Sequence, residues 1–128
     1  MKKLIFLLLA VMMLTACGQD KVNDQGAVYV NITAEEAKRI MDSEEGYIIL
    51  DVRTQEEYDE GHIPGATQIS HEEIAEKAEQ VLTDKDQLIL VYCRSGRRSK
   101  IAAEALVELG YTNIKEFGGI IDWPYEVE

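Results

Sequence analysis

From residue 28 onward, short apolar runs alternate with stretches whose apolar residues recur every three or four positions. The runs fall at residues 28–32, 47–52, 67–69, 88–92 and 114–117, each of strand length. The second of them (YIILDV) is almost continuously apolar, as in a parallel strand covered on both faces. Four helical segments lie between these runs. Ala37, Ile40 and Met41 form the first, opened by Thr33-Ala-Glu-Glu36, where the threonine hydroxyl is placed to serve a free amide and Glu36 to reach back. Residues 54–57 (TQEE) repeat that box and open a short helix that Gly61 ends. Residues 70–73 read as the cap of a third helix, with Ile74, Ala78, Val81 and Leu82 on one face. Ile101, Ala102, Ala105, Leu106 and Leu109 mark the fourth, stopped by Gly110. His62-Ile-Pro-Gly-Ala66 is turn chemistry. Strands alternating with helices predict an α/β three-layer sandwich, a mainly parallel five-stranded sheet with helices on both faces, in one domain over residues 28–128.

Residues 1–27 follow another pattern. Lys2 and Lys3 precede eleven consecutive apolar residues, 4–14. That run is short of the roughly 20 residues a bilayer span needs, and it suits the core of a secretory signal. Leu14-Thr-Ala-Cys17-Gly18 resembles a bacterial lipobox, in which the cysteine is lipidated and becomes the mature N-terminus. The expectation is a signal peptide over residues 1–16, lipidation of Cys17 and a polar tether over residues 17–27. The domain would then be extracytoplasmic, held at the cell membrane through the lipid alone.

Charge narrows the partners. The formal net charge is −11, and losing residues 1–16 removes two lysines and no acid, leaving 11 cations against 24 acids, or −13. Such a surface repels nucleic acid and anionic headgroups, so neither is expected to bind. The expected state is a monomer. No grouping of His, Cys and acids has metal-ligand spacing, so neither a metal nor a cofactor is expected. There are two cysteines, and with Cys17 lipidated Cys93 has no disulfide partner in the chain. A lone thiol in an exported protein is either buried and inert or kept for its chemistry.

The segment YCRSGRRSK, residues 92–100, bears on that choice. Arg94, Arg97, Arg98 and Lys100 place four of the 11 remaining cations within seven residues. Cations so crowded repel one another unless an anion offsets them. Cys93 stands where the fourth strand gives way to the fourth helix, the place where open α/β sheets bind ligands. Amides of residues 94–98 can curl around the sulfur as an anion nest. The helix N-terminus adds the positive end of its dipole, and Gly96 gives the loop a residue free to adopt positive φ. These effects favour thiolate over thiol and suit an anionic substrate. The plainer alternative is an inert buried cysteine beside a solvated basic helix start. Ser95 and Ser99 are either hydroxyl donors to the sulfur or simply small loop and helix-start residues.

The stretch CRSGRRS, residues 93–99, resembles the active-site loop of the rhodanese family of sulfurtransferases. Asp51-Val-Arg53, Glu57-Tyr58, Gly61-His-Ile-Pro-Gly-Ala66 and Gly118-Gly119 to Trp123 match the family's other signatures in order, over about residues 28 to 124. The resemblance implies a rhodanese-like fold and covalent catalysis in two half-reactions. Cys93 would take the outer sulfur of thiosulfate, or of another small anionic donor, as a persulfide and release sulfite. A thiol or cyanide would then accept the sulfur. Amides of residues 94–98 would stabilise the persulfide, Arg94 and Arg97 would hold the sulfite charge, and Arg98 would brace the loop against Asp51 or Glu57. Asp51 and Arg53 read as a structural ion pair, His62 as a turn residue, and Trp123 as a core plug or pocket wall. Two other functions stay open. One is a non-enzymatic module that carries or senses sulfane sulfur. The other is a cysteine-dependent phosphatase or arsenate reductase, whose loops place five residues between Cys and Arg where Cys93 and Arg98 bracket four.

Overall fold

The computed structural model describes residues 28–128 and the backbone of Lys21–Val22. The expected signal peptide and the lipidated Cys17 lie outside these residues, as does most of the expected tether. Strands β1 (Lys21–Val22), β2 (Val28–Asn31), β3 (Ile48–Asp51), β4 (Thr67–Gln68), β5 (Ile89–Cys93) and β6 (Ile114–Gly119) form one sheet in the order β1-β2-β6-β5-β3-β4. The five strands β2 to β6 run parallel, as the alternation of strands with helices predicts. β1 pairs antiparallel with β2 inside the stretch read as a tether. Its two residues carry no periodic signal; the open edge of β2, with its unpaired backbone groups, supplies the reason for the pairing.

Helices α1 (Ala34–Ser43), α2 (Gln55–Glu60), α3 (Ile74–Val81) and α4 (Arg97–Glu108) complete the layers. Period-two alternation in β5 divides the core in two. Ile89, Val91 and Cys93 join Ala78 of α3 and Ala102, Ala103, Leu106 and Val107 of α4 in one cluster. Leu90 and Tyr92 join Ala37 of α1, Ile63, Phe117 and Trp123 in the other. All five residues of β5 are buried, so the strand that carries the cysteine is covered on both faces.

The two threonine caps form as the sequence predicts. Thr33 Oγ1 accepts the Glu36 amide at 3.1 Å, and Thr54 and Glu57 make the full reciprocal box. The third cap does not form. Ser70 makes no cap bond; its hydroxyl donates to the Arg53 carbonyl at 3.3 Å, and residues 71–73 make a 3-10 turn before α3 starts at Ile74. The helical stripes are also narrower than predicted. Val81 is 48% and Ile101 42% exposed, because α3 ends at Val81 and α4 rolls so that Ser99, Ala103 and Val107 face the sheet instead.

Candidate active site

Three residues join the end of β5 to α4, and Gly96 turns the corner at φ +106°. That conformation brings the Gly96 amide back onto Cys93, whose Sγ accepts it at 3.0 Å. Among the described residues it is the loop amide that reaches the sulfur; the nest drawn from residues 94–98 reduces, around Sγ itself, to this one donor. Cys93 is wholly buried and sits beneath the first turn of a twelve-residue helix, where the helix field favours an anion. On the other side, Sγ stands 3.4 Å from Ser99 Oγ.

A second chain segment closes the loop from behind. β6 carries one extra residue opposite β5: Val91 pairs with Glu116, but Cys93 pairs with Gly119. Gly119 has φ −128°, an extended backbone that any residue adopts. Glycine is required there for space alone, because a Cβ would lie 2.0 Å from the Arg94 carbonyl oxygen. That carbonyl is held by the Ile121 amide at 3.2 Å.

The loop cations divide by role. Arg94 and Arg97 are exposed, as are Ser95 and Lys100, and neither Arg94 nor Arg97 has an ion-pair partner among the described residues. Arg98 is turned away from the sulfur and forks onto Glu57, with Nη1 to Oε1 at 2.7 Å and Nη2 to Oε2 at 2.9 Å. Of the two acids named for this brace, it takes Glu57. The Arg98 guanidinium, aided by the Thr54 amide against partial burial, holds the Glu57 carboxyl at about 2. Because that value lies below the ordinary one, the pair stabilises the fold at neutral pH and is lost progressively as pH falls from near 5 to about 2. Glu57→Gln should therefore unfold at lower temperature than wild type at pH 7, with the gap closing by pH 2. Thermal melts across that range would check it, and a constant gap would exclude the pair as its source.

Asp51 and Arg53 form a buried ion pair at 2.7 Å. Arg53 also donates to the Gly61 carbonyl at 2.7 Å, and the Tyr92 hydroxyl donates to Asp51 Oδ2 at 2.6 Å while accepting the Ile63 amide at 3.1 Å. Burial first, then the bond to Asp51, pushes the Tyr92 hydroxyl well up. This network ties β3, β5 and the turn after α2 on the side of the sheet opposite the sulfur. It fits the structural assignment. His62 stacks on Tyr58 with ring centroids 3.7 Å apart, and its Nδ1 lies 2.8 Å from the Tyr58 carbonyl. Trp123, 9% exposed, packs on Phe117. A cavity of about 420 Å³ beside the loop is lined by Arg53, Glu57, Arg94, Ile120 and Trp123 among others.

One residue at this site is not legible in the motifs. Glu116 is 2% exposed and receives Ser99 Oγ at 2.6 Å, the Gly118 amide at 2.9 Å and Asn31 Nδ2 at 2.5 Å. Its signal was an acid at an inward position of an apolar strand, two residues after Ile114. Buried acids are rare enough to prompt the question of a partner.

A family model described as Rhodanese-like domain matches residues 33–124. The thiosulfate sulfurtransferase PspE of Escherichia coli is 40% identical over 73 residues, covering 57% of this chain and 70% of that protein. A sulfurtransferase of Allochromatium vinosum is 35% identical over 88 residues, 68% of this chain and 79% of its own length. Among solved structures, a rhodanese with anions from E. coli superposes with TM-score 0.60 at 35% identity, covering 64% of this chain and 96% of that one.

Proposed function

This chain belongs to the rhodanese-like domain family, and on that premise we propose that it is a sulfurtransferase that moves sulfane sulfur through Cys93. The observation that carries the reading is a buried thiol under a helix N-terminus, with the Gly96 amide 3.0 Å from its sulfur and two exposed arginines at the rim that have no ion-pair partner among the described residues. In the first half-reaction the Cys93 thiolate attacks the outer sulfur of thiosulfate. The sulfur–sulfur bond of the donor breaks, sulfite leaves with its electron pair, and Cys93 keeps a persulfide. In the second, a thiol or cyanide attacks the outer persulfide sulfur and returns the Cys93 thiolate. The Gly96 amide and the helix field act on charge at the inner sulfur, and Arg94 and Arg97 act on the dianion outside.

The geometry disfavours oxyanion hydrolysis. A phosphatase loop needs its arginine facing the phosphate, whereas the Arg98 guanidinium is spent on Glu57. The direct test incubates the protein with thiosulfate, reads one added sulfur by intact mass, then counts thiocyanate formed on adding cyanide. Many thiocyanates per Cys93 support an enzyme; a single one supports a carrier; none with either donor or acceptor ends the reading.

Thiosulfate as the donor makes its own demand. Arg94→Ala and Arg97→Ala should each lower efficiency with thiosulfate by roughly ten- to hundredfold, the worth of one charge-assisted hydrogen bond. The loss should shrink with a neutral persulfide donor, which offers no charge to hold. Equal losses on both donors would remove these arginines from donor binding.

We also propose that the protein is exported and anchored through lipidated Cys17, on the strength of the signal-like run before it. Cys17→Ser should abolish incorporation of labelled lipid and retain or release the protein unprocessed. Labelling that persists in the variant would contradict the anchor.

A further inference from the structure

Glu116 has no part in the two half-reactions as written, yet it lies one hydroxyl away from the sulfur. We infer that Cys93, Ser99 and Glu116 form a proton relay, in which Glu116 acting through Ser99 takes the thiol proton when Cys93 reacts and returns it when Cys93 is released. The inference rests on the sulfurtransferase reading for its purpose, though not for its test.

The hydrogen inventory leads to this assignment. Ser99 owns one hydroxyl hydrogen. Its oxygen lies 3.4 Å from Cys93 Sγ, 2.6 Å from Glu116 Oε1, 3.0 Å from the Gly96 carbonyl and 3.4 Å from the Gly118 carbonyl. The shortest of these, to a carboxylate, takes the hydrogen. With Cys93 as a thiol the chain then runs in one direction, S–H to Ser99 oxygen and Ser99 hydrogen to Glu116. A thiolate reverses the demand, because the sulfur now needs a donor. If the proton were simply lost to water, thiolate and carboxylate would compete for one hydrogen, two buried anions on either side of it. If the proton passes along the chain, Glu116 becomes the donor to Ser99 and Ser99 the donor to Sγ. Every group is then satisfied in both states, and one proton has moved.

The steps balance. Cys93 gives its proton to Ser99 as Ser99 gives its own to Glu116. The thiolate takes the outer sulfur from thiosulfate and sulfite departs as a dianion. When the acceptor thiolate removes that sulfur, the freed Cys93 thiolate recovers a proton from Ser99, which recovers one from Glu116. Donor and acceptor are the only reactants.

The surroundings isolate the relay from other proton sources. On β6 the Gly118 amide fixes one Glu116 oxygen and on β2 the Asn31 amide fixes the other. Tyr29, also on β2, is buried and its hydroxyl has no hydrogen-bond partner among the described residues; burial, then Glu104 and Glu116, raise it further, so it stays neutral. Arg98 on α4 senses the charge on Cys93 but is bound to Glu57. Glu116 has no ion-pair partner among the described residues, which leaves it free to change charge without breaking a salt bridge.

The test is the pH dependence of single-turnover persulfide formation in wild type, Glu116→Gln and Ser99→Ala, with thermal melts to confirm folding. Glutamine keeps the shape and can accept from Ser99 and Gly118, but it cannot take a proton at neutral pH. Expected is a loss of roughly a hundredfold at pH 6.5 in both variants, the lower range for general-base assistance, shrinking as pH rises and solvent hydroxide competes with the relay for the proton. The double variant should lose no more than either single one. The rate of Cys93 alkylation by iodoacetamide, followed over the same pH range, repeats the measurement without any sulfur donor. If thiosulfate fails while alkylation shows the pH-dependent loss, the relay stands and the donor assignment falls. A loss of equal size at every pH, no loss, or a Cys93 inert to both reagents would overturn the relay.

Discussion

Cys93→Ser is expected to abolish sulfur transfer, by more than about 10⁴-fold, while leaving the protein folded. The oxygen occupies less space than the sulfur at a wholly buried position and still accepts the Gly96 amide that now reaches Sγ at 3.0 Å. Ser99 and the helix above it keep their places, so stability should change by no more than about 1–2 kcal/mol. What disappears is the nucleophile, since an alcohol at neutral pH presents almost no anion and forms no stable bond to a sulfane sulfur. Intact mass after thiosulfate treatment should show no added sulfur, and cyanide should then yield no thiocyanate. Activity near that of wild type would remove Cys93 from the chemistry altogether.

Gly119→Ala is expected to be the most damaging conservative change outside the nucleophile. The added carbon would sit 2.0 Å from the Arg94 carbonyl oxygen, 2.4 Å from its carbon and 2.6 Å from the Ser95 Cα. All three are backbone atoms of the loop, so no side chain can rotate away. Relief requires moving the loop off β6, which breaks the Ile121 to Arg94 bond and carries the Gly96 amide away from the sulfur. Overpacking of this kind costs about 3 kcal/mol, a fall in Tm of roughly 12–24 °C for a domain of this size, together with loss of activity. Gly46→Ala is the matched control. Gly46 has φ +78° with open space around it, so alanine there meets backbone strain alone, about 1–2 kcal/mol. Differential scanning calorimetry on both variants separates the two causes; equal shifts would show that close approach is not what makes Gly119 a glycine.

The parts of this fold legible in sequence are those fixed by local chemistry. Thr33 and Thr54 cap their helices because a hydroxyl beside free amides needs nothing from elsewhere in the chain. β3 and β5 appear as apolar runs because these central parallel strands are covered on both faces. Ser70 misled for the opposite reason. Its hydroxyl had a distant partner, the Arg53 carbonyl, that no local pattern reveals. Ile101 misled because α4 turns other residues to the sheet: Ser99 is seated between Cys93 and Glu116, and Ala102 and Ala103 are buried beside it. At the site, Cys93 and the cations around it stood out in the sequence as a lone thiol at a strand end beside a dense run of positive charge. Glu116 and Asn31 did not, since their role depends on β2 and β6 being neighbours, a pairing between segments 85 residues apart.

The extra residue in β6 has a consequence for how this strand can change over time. Before it, at Glu116, and after it, at Gly119, the strand is keyed to β5 in two different phases. Glu116 needs the first phase to reach Ser99, and Gly119 needs the second to let the loop approach. Losing or gaining one residue between them is thus no mere change of length, because it exchanges inner for outer positions on one side of the lesion. The stretch Glu116–Gly119 behaves as a vernier with a single working setting. Substitutions can be tried there one at a time, but insertions and deletions survive only in pairs that restore the count.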